Sequence, residues 1–120
     1  MARPKRLTQQ IDLKEVIKVT ALNQIAAFGA PTLSLRAIAR ELKITAPAIY
    51  NYFPRRDDLV TALIIDAYTS FGDSQLLARD SVPVDDLNGR LNAVGWAYRS
   101  WALTFPQRYQ LIFGLSLIHI

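Results

Sequence analysis

The stretch that decides the fold is "SLRAIARELKITAPAIYNYF", which runs from Ser34 to Phe53. Its apolar residues recur every three or four positions, a spacing that is typical of helices and not of strands. Ser34 and Thr45 each precede such a segment, and serine and threonine are favoured N-cap residues. The sequence therefore predicts two short helices, capped by Ser34 and Thr45, with a three-residue turn that begins at Lys43.

The second of these helices contains a proline at a position where proline is tolerated. Counting from the Thr45 cap, Ala46 is the first helical residue and Pro47 is the second. The N–H groups of a first turn have no acceptor inside the helix, so proline costs little there and its fixed φ helps to start the turn. Pro54 is predicted to end the helix, because a residue before proline is biased away from the α region.

The two sides of this helix differ in character. At about 100° per residue, one side carries residues that can pack on other helices: Ala46, Ile49, Tyr50 and Phe53. The other side carries Pro47, Ala48, Asn51 and Tyr52. This second side has no long charged side chain, so a partner can approach it closely. The alternative interpretation is a plain connector helix in a bundle.

A helix is predicted before this stretch, over about residues 10–28, and a basic arm before that, over residues 1–9. The helix follows from apolar residues that step by four and then by three: Leu13, Ile17, Ala21, Ile25 and Phe28. Gly29 and Pro31 are predicted to end it. We expect the arm, which contains Pro4, to be disordered in the free protein.

Two longer helices are predicted after the stretch. The first spans about Arg56 to Leu77, with Asp57 and Asp58 favouring the positive end of its dipole. Its predicted apolar face is Leu59, Leu63, Ile64, Ala67, Tyr68 and Phe71. A polar loop, "RDSVPVDD", is the predicted domain boundary. A helix over about 84–104 follows, with Trp96 and Trp101 expected in the core more than in a ligand site, and Pro106 begins a further segment.

Composition and charge limit the classes of function that the chain can have. The chain has 120 residues, 51% of them hydrophobic and 20% charged, as expected of a folded domain. Residues 1–56 carry ten Lys/Arg against three acidic residues, a balance of +7, and residues 57–120 have a balance of −3. This asymmetry indicates that the first half meets a polyanion. The alternative is a solvated basic face.

Several functional classes lack their sequence signals. Cysteine is absent, there is no run of about 18 apolar residues, and the basic N-terminus is not followed by a signal-peptide h-region. We therefore expect a protein without a membrane segment, with a cytoplasmic location. A GxSxG elbow, a phosphate-cradling glycine-rich loop and a Cys/His pair are missing, so we predict no enzyme and no cofactor. His119, the single histidine, has no companion ligands, and no metal site is predicted.

The segment "LSLRAIARELKITAPAIYNYFPRRDDLV" (33–60) resembles the DNA-binding signature of the TetR/AcrR transcriptional regulators. The matching elements are the "IA" of its first helix, the Ile-Thr turn, "IYNYFP" and the basic-acidic-acidic-Leu start of the next helix. The resemblance covers roughly residues 8–70. The remaining chain is only loosely similar to the family's effector domain, and "WAYRSWALTFPQRYQLIFG" (96–114) is similar to a helix pair of one subgroup.

The resemblance implies a role for each matching residue. The family's recognition helix enters the major groove of DNA, which implies base contacts for Arg36, Ala46, Pro47, Ala48 and Asn51. Asparagine can bond adenine bidentately, arginine can bond guanine, and alanine and proline can contact thymine methyls. The residues that match phosphate-binding positions are Ser34, Thr45, Tyr50, Tyr52 and Arg56.

Each of these assignments has a simpler structural alternative. Arg36, with Arg40, could form a solvated helix face. Tyr50 could bury most of its ring, and Tyr52 could be a plain exposed aromatic residue. One departure from the family pattern is Lys43, which stands where the family usually has glycine in the turn. We expect Lys43 to have a positive φ with mild strain, and it could add a phosphate contact.

Together these observations predict an all-α chain with a three-helix, homeodomain-like helix-turn-helix headpiece (10–56), a connector helix (57–78) and an incomplete effector-binding and dimerisation domain (84–120). The resemblance implies a sequence-specific repressor that binds a palindromic double-stranded DNA operator as a homodimer and is released by a small-molecule effector. The alternative is a helical protein-interaction module, or a regulator fragment without independent DNA binding.

The C-terminal residues lead to one further expectation. The chain stops within an apolar run, Leu111 to Ile120, without a polar cap. Family members resemble each other in having several more helices, which form most of the dimer interface. We therefore expect a fragment, with a natural short form that dimerises through residues 85–120 as the alternative.

Overall fold

The structure is a computed structural model that describes the backbone of residues 2–114 and the side chains of residues 13–114. Within this range the chain is all-α, as predicted, and no strand occurs. The helices are α1 (Ala2–Phe28), α2 (Leu35–Leu42), α3 (Ala46–Tyr50), α4 (Arg56–Asp80), α5 (Leu87–Thr104) and α6 (Pro106–Tyr109). A 3₁₀ turn (Ala30–Thr32) precedes α2, and a π-helical turn (Gln110–Gly114) follows α6.

The chain divides into two compact units. Residues 1–61 form the headpiece and residues 62–120 form the second unit. Helix α4 begins in the headpiece and continues into the second unit.

Aliphatic side chains fill the interior of the headpiece. The buried set is Ile17, Ala21, Ile25, Leu33, Leu35, Ile38, Ala39, Ile49, Phe53 and Leu59. The predicted apolar face of α1 is therefore confirmed at its centre. It is wrong at Phe28, which is 73% exposed in the last turn of α1.

Helix α1 starts at Ala2, earlier than the predicted start near residue 10. Pro4 did not prevent this, because the N–H groups of the first helical turn need no acceptor inside the helix. The backbone of the predicted arm is thus helical from Ala2, and its side chains lie outside the described residues.

The turn between α2 and α3 has the geometry of a helix C-cap followed by a helix N-cap. Lys43 adopts the left-handed conformation, with φ 57° and ψ 43°, which confirms its predicted positive φ. The N–H of Ile44 donates to Ala39 O at 3.0 Å and the N–H of Lys43 donates to Arg40 O at 3.2 Å. This pair of bonds is a Schellman motif, which satisfies the last carbonyl groups of a helix.

Both predicted N-caps are confirmed. The Oγ of Ser34 accepts a hydrogen bond from the Ala37 N–H at 3.2 Å, and the Oγ1 of Thr45 accepts one from the Ala48 N–H at 3.3 Å. Helix α3 is shorter than predicted and ends at Tyr50. The chain keeps turning beyond that point, since the Phe53 N–H donates to Ile49 O at 2.9 Å.

Aromatic rings dominate the interior of the second unit. Trp101 is 4% exposed and lies with Ala67 and Ile112 at the centre of a cluster that also contains Ile64, Phe71, Phe105, Tyr109 and Phe113. The ring of Phe71 meets Trp101 edge to face, with centroids 5.1 Å apart. The Trp101 Nε1–H donates to Ser70 Oγ at 2.9 Å, so the indole nitrogen is satisfied inside the cluster.

The prediction that both tryptophans belong to the core is confirmed for Trp101 and wrong for Trp96, which is 67% exposed. Tyr68, placed on the apolar face of the α4 sequence, is also exposed. At the edge of the aromatic cluster, the Tyr98 hydroxyl donates to Tyr109 Oη at 3.4 Å, and this hydrogen bond raises the pKa of Tyr98 above its ordinary value.

Two further observations bear on function. None of the helices in the described part of the chain is long and apolar enough to cross a membrane. Between residues 13 and 114, no group of three or more His, Asp or Glu side chains could hold a metal ion. His119 and the last residues of the apolar run, 115–120, lie outside the described residues.

Candidate nucleic-acid interface

Helix α3 is anchored on one side and open on the other. Ile49 is fully buried and Phe53, just beyond the helix, is nearly so. Pro47 and Asn51 are exposed, and Ala48 is half-buried. The open side thus carries small side chains and one amide, and the anchored side fixes which way it faces. Ala46, assigned by resemblance to base contact, is half-buried at the start of the helix.

Helix α2 presents two arginines on the side away from its buried residues. Leu35, Ile38 and Ala39 are buried, whereas Arg36 and Arg40 are exposed and one helical turn apart. The apolar side orients the helix, so the guanidinium groups stay in solvent. From the sequence, Arg40 is predicted only as part of a solvated helix face. Its spacing of four residues from Arg36 is the signal that both arginines lie on the same side of α2.

The two capping hydroxyls keep a donor for a ligand. Ser34 Oγ and Thr45 Oγ1 each accept a backbone N–H through an oxygen lone pair, which leaves the hydroxyl hydrogen able to donate. A phosphate oxygen is an acceptor of the required kind. Of the two tyrosines, Tyr50 is 38% exposed and Tyr52 is half-buried, so each retains some solvent-accessible surface.

Arg56, the remaining residue assigned to phosphate, has its guanidinium bonded within the headpiece. Its Nε donates to Leu33 O at 2.8 Å and its Nη2 donates to Ala30 O at 2.7 Å. The Nη1 atom lies 4.0 Å from Asp57 Oδ1. Sequence reasoning missed the two carbonyl partners, because they lie more than twenty positions earlier in the chain.

Two capped helices joined by a tight turn, with the second helix open on one side, have the geometry of a helix-turn-helix unit. Of the residues assigned to bases, Arg36 lies on the exposed side of α2, and the others lie on α3 or at its C-cap: Ala46, Pro47, Ala48 and Asn51. Their chemistry combines an amide, a guanidinium and small apolar groups, which are the groups that read base edges in a major groove.

Comparisons with known proteins agree with this class. The family model described as bacterial regulatory proteins, tetR family, matches residues 17–63, which contain α2 and α3. Residues 17–63 are thus similar to the DNA-binding domain model of this family.

Individual relatives carry related descriptions. The chain is 38% identical over 118 residues to the HTH-type transcriptional regulator Rv1816 of Mycobacterium tuberculosis and to the HTH-type transcriptional regulator Mb1846 of Mycobacterium bovis. The alignment covers 95% of this chain and 50% of each relative. A solved structure, that of the candidate regulatory protein SCO4313, superposes with a TM-score of 0.79 at 44% identity and covers 89% of this chain and 50% of that one. The chain thus spans about half the length of the relatives it matches.

Proposed function

We propose that this chain is the DNA-binding part of a transcriptional regulator that inserts α3 into the major groove of double-stranded DNA. The observation that carries the proposal is the open side of α3, where Pro47, Ala48 and Asn51 stand opposite the buried Ile49. Small side chains at these positions let the helix backbone approach base edges closely.

The proposed base readers are Arg36, Ala46, Pro47, Ala48 and Asn51. Asn51 is suited to bidentate contact with adenine and Arg36 to guanine O6 and N7. The alanines and the proline supply apolar contact for a thymine methyl. The exposure of Arg36 and Asn51 supports this division, since both polar groups reach solvent without further rearrangement.

The proposed phosphate contacts are Ser34, Thr45, Tyr50 and Tyr52, which hold the unit on the duplex without reading sequence. Ser34 stands at the N-terminus of α2, where the helix dipole also favours an anion, and Thr45 caps the short helix α3. Arg56 completes the set assigned by resemblance. Its guanidinium donates to Leu33 O and Ala30 O, which favours a role in holding the backbone before α2.

The remaining parts of the proposal follow from the family. We propose a non-enzymatic repressor, located in the cytoplasm with its DNA, that binds a palindromic operator as a homodimer and responds to a small-molecule effector. Residues 10–56 would be the DNA-binding domain, 57–78 the connector and 84–120 part of the effector and dimerisation domain. The family resemblance and the names of the relatives support this part, and the α3 geometry supports DNA binding alone.

The test is a mobility shift of the chain on duplex DNA of random sequence at two salt concentrations. Phosphate neutralisation releases counterions, so the affinity should fall by more than about a hundredfold between about 50 and 200 mM salt. A duplex selected from a random pool by repeated binding should then bind more tightly than the starting pool. A helical protein-interaction module would show neither result, and either failure would count against the proposal.

A further inference from the structure

Arg56 connects the first residue of α4 to the segment that leads into α2. Its two hydrogen bonds end on Leu33 O and Ala30 O, the last residue before the Ser34 cap and the first residue of the 3₁₀ turn. Both distances, 2.8 and 2.7 Å, are short for N–H···O bonds, as expected when the donor is charged.

The segment that Arg56 holds sets where α2 begins. Gly29, with φ 87°, redirects the chain after α1, and the Leu33 N–H donates to Ala30 O at 3.0 Å to close the turn. Ala30 O therefore accepts from both the Leu33 N–H and the Arg56 guanidinium. Ser34 follows directly, and its Oγ and carbonyl oxygen accept from Ala37 and Ile38 of the first turn of α2.

We propose that Arg56 is a positioning residue, whose planar guanidinium holds Ala30 and Leu33 so that the N-terminus of α2, with Ser34 and Arg36, is fixed for DNA contact. This inference rests on the proposed function, and it replaces the direct phosphate contact that the family resemblance implies for this position. The side chain is 43% exposed, its Nε and Nη2 atoms donate to the two backbone carbonyl groups, and its Nη1 atom lies 4.0 Å from the Asp57 carboxylate.

The two roles make different demands on the side chain. A phosphate contact needs a positive charge of the right reach, and lysine supplies that as a point charge. Holding two carbonyl groups at once needs donors at fixed angles, which the rigid fork of arginine has and the flexible ammonium of lysine lacks. Arg56→Lys therefore separates the roles. Arg55→Lys is the matched control, because Arg55 is the adjacent arginine, and its 81% exposed side chain makes a 3.6 Å ion-pair contact with Asp58.

The first experiment uses the protein without DNA and follows amide hydrogen exchange at single residues. In Arg56→Lys, the amides of Leu33, Ala37 and Ile38 should exchange about tenfold faster, while those of Ala21 and Ile25 in α1 should keep their rates. An equal acceleration at all of these amides would show only a general loss of stability. Unchanged rates at Leu33, Ala37 and Ile38 would show that no local brace exists. Either of these two results would overturn the proposal.

The second experiment measures binding to random-sequence duplex DNA across a salt series, at a temperature where each variant is fully folded. Arg56→Lys should bind about tenfold more weakly at every salt concentration, the loss expected when one or two charged hydrogen bonds no longer hold the site. Arg55→Lys should bind as the unchanged protein does. Arg56→Gln should resemble Arg56→Lys in affinity and keep the salt slope.

Other results would overturn the proposal in distinct ways. Undiminished DNA affinity in Arg56→Lys, with a salt slope lowered by about 0.9 in Arg56→Gln, would establish a phosphate contact. Faster amide exchange at Leu33, Ala37 and Ile38 with unchanged DNA affinity would show that Arg56 stabilises the start of α2 without affecting DNA binding. If the unchanged protein bound no DNA, the proposed function would fail, and the exchange experiment would still decide whether Arg56 holds the start of α2.

Discussion

In the headpiece, the helices surround an interior of aliphatic side chains such as Ile17, Ile38 and Ile49, and few of the large apolar residues described between residues 13 and 61 remain exposed. In the second unit the interior is a cluster of aromatic rings around Trp101. There the exposed large apolar residues are more numerous: Ile65, Tyr68, Leu76, Leu77, Val84, Leu87, Leu91, Trp96, Tyr98 and Leu103.

This difference shows what helical periodicity does and does not determine. The same three- and four-residue spacing occurs in α1, α4 and α5, so each sequence predicts an amphipathic helix. In the headpiece, the 3₁₀ turn and α2 contact α1 and supply neighbours for its apolar side. In the described part of the second unit, neighbours cover only the side of α5 that carries Trp101. Burial of a residue thus depends on whether another element packs against it. Periodicity predicts only which side of the helix is apolar.

The largest expected effect comes from the headpiece interior. Ile49→Ala removes a fully buried side chain at the base of α3 and should lower the free energy of unfolding of the headpiece by about 2–5 kcal/mol. The measurement is urea unfolding, with the amide hydrogen exchange of headpiece residues as the probe. Ile65→Ala is the control, because the same deletion at an exposed position of the second unit should cost less than about 0.5 kcal/mol. Equal losses of unfolding free energy in the two variants would mean that Ile49 and Ile65 do not differ in burial as described.

How far the sequence predicts the headpiece can be judged at single residues. Ser34, Thr45 and Lys43 were predicted correctly, because caps and turns depend on neighbours within about four positions. Phe28 was misassigned, since the periodic pattern continues past the point where the interior ends. The sequence predicts the start of α1 too late, because Pro4 indicates an arm there, although the first turn of a helix tolerates proline.

The candidate site shows the same limit. The exposure of Arg36 and Asn51 can be predicted, because both residues lie on the side of their segment that is opposite the apolar residues. The partners of Arg56 could not, because they are backbone carbonyl groups brought near only when α1, the 3₁₀ turn and α4 have packed. A carbonyl group gives no residue-type signal in the sequence.

The second unit provides a matched pair of tryptophans on one helix. Trp101→Phe removes the hydrogen bond to Ser70 and part of a buried ring, and it should destabilise the second unit by about 2–3 kcal/mol. Trp96→Phe changes an exposed side chain and should cost less than about 0.5 kcal/mol. Denaturant unfolding followed by the remaining tryptophan's fluorescence measures both, since both tryptophans lie in the second unit. A larger loss for Trp96→Phe would reverse their assigned environments.

Asn51 and Asn92 are exposed asparagines, one in each unit. Asn51→Ala should weaken binding to a selected duplex by about 1–3 kcal/mol and relax the base preference at one position. Asn92→Ala, the same change at an exposed asparagine of α5, should alter neither quantity. Titration of labelled duplexes that differ at single base pairs measures both. If Asn51→Ala left affinity and preference intact, α3 would not lie in the groove as proposed.

The smallest effect is expected at Lys43. There the informative result is whether the substitution raises or lowers the free energy of unfolding. A non-glycine residue in the left-handed conformation costs about 1–2 kcal/mol relative to glycine, and the greater freedom of glycine in the unfolded chain offsets part of that. Because Lys43 has φ 57°, Lys43→Gly should raise the free energy of unfolding of the headpiece by about 0.5–1 kcal/mol. Lys14→Gly places the same change at an exposed position inside α1, where glycine should lower that free energy by about 1 kcal/mol. The two variants have the same composition and net charge, so their difference in urea midpoint isolates the backbone conformation of the turn. A loss of stability in both would show that Lys43 is not strained and that its side chain stabilises the headpiece by a contact of its own.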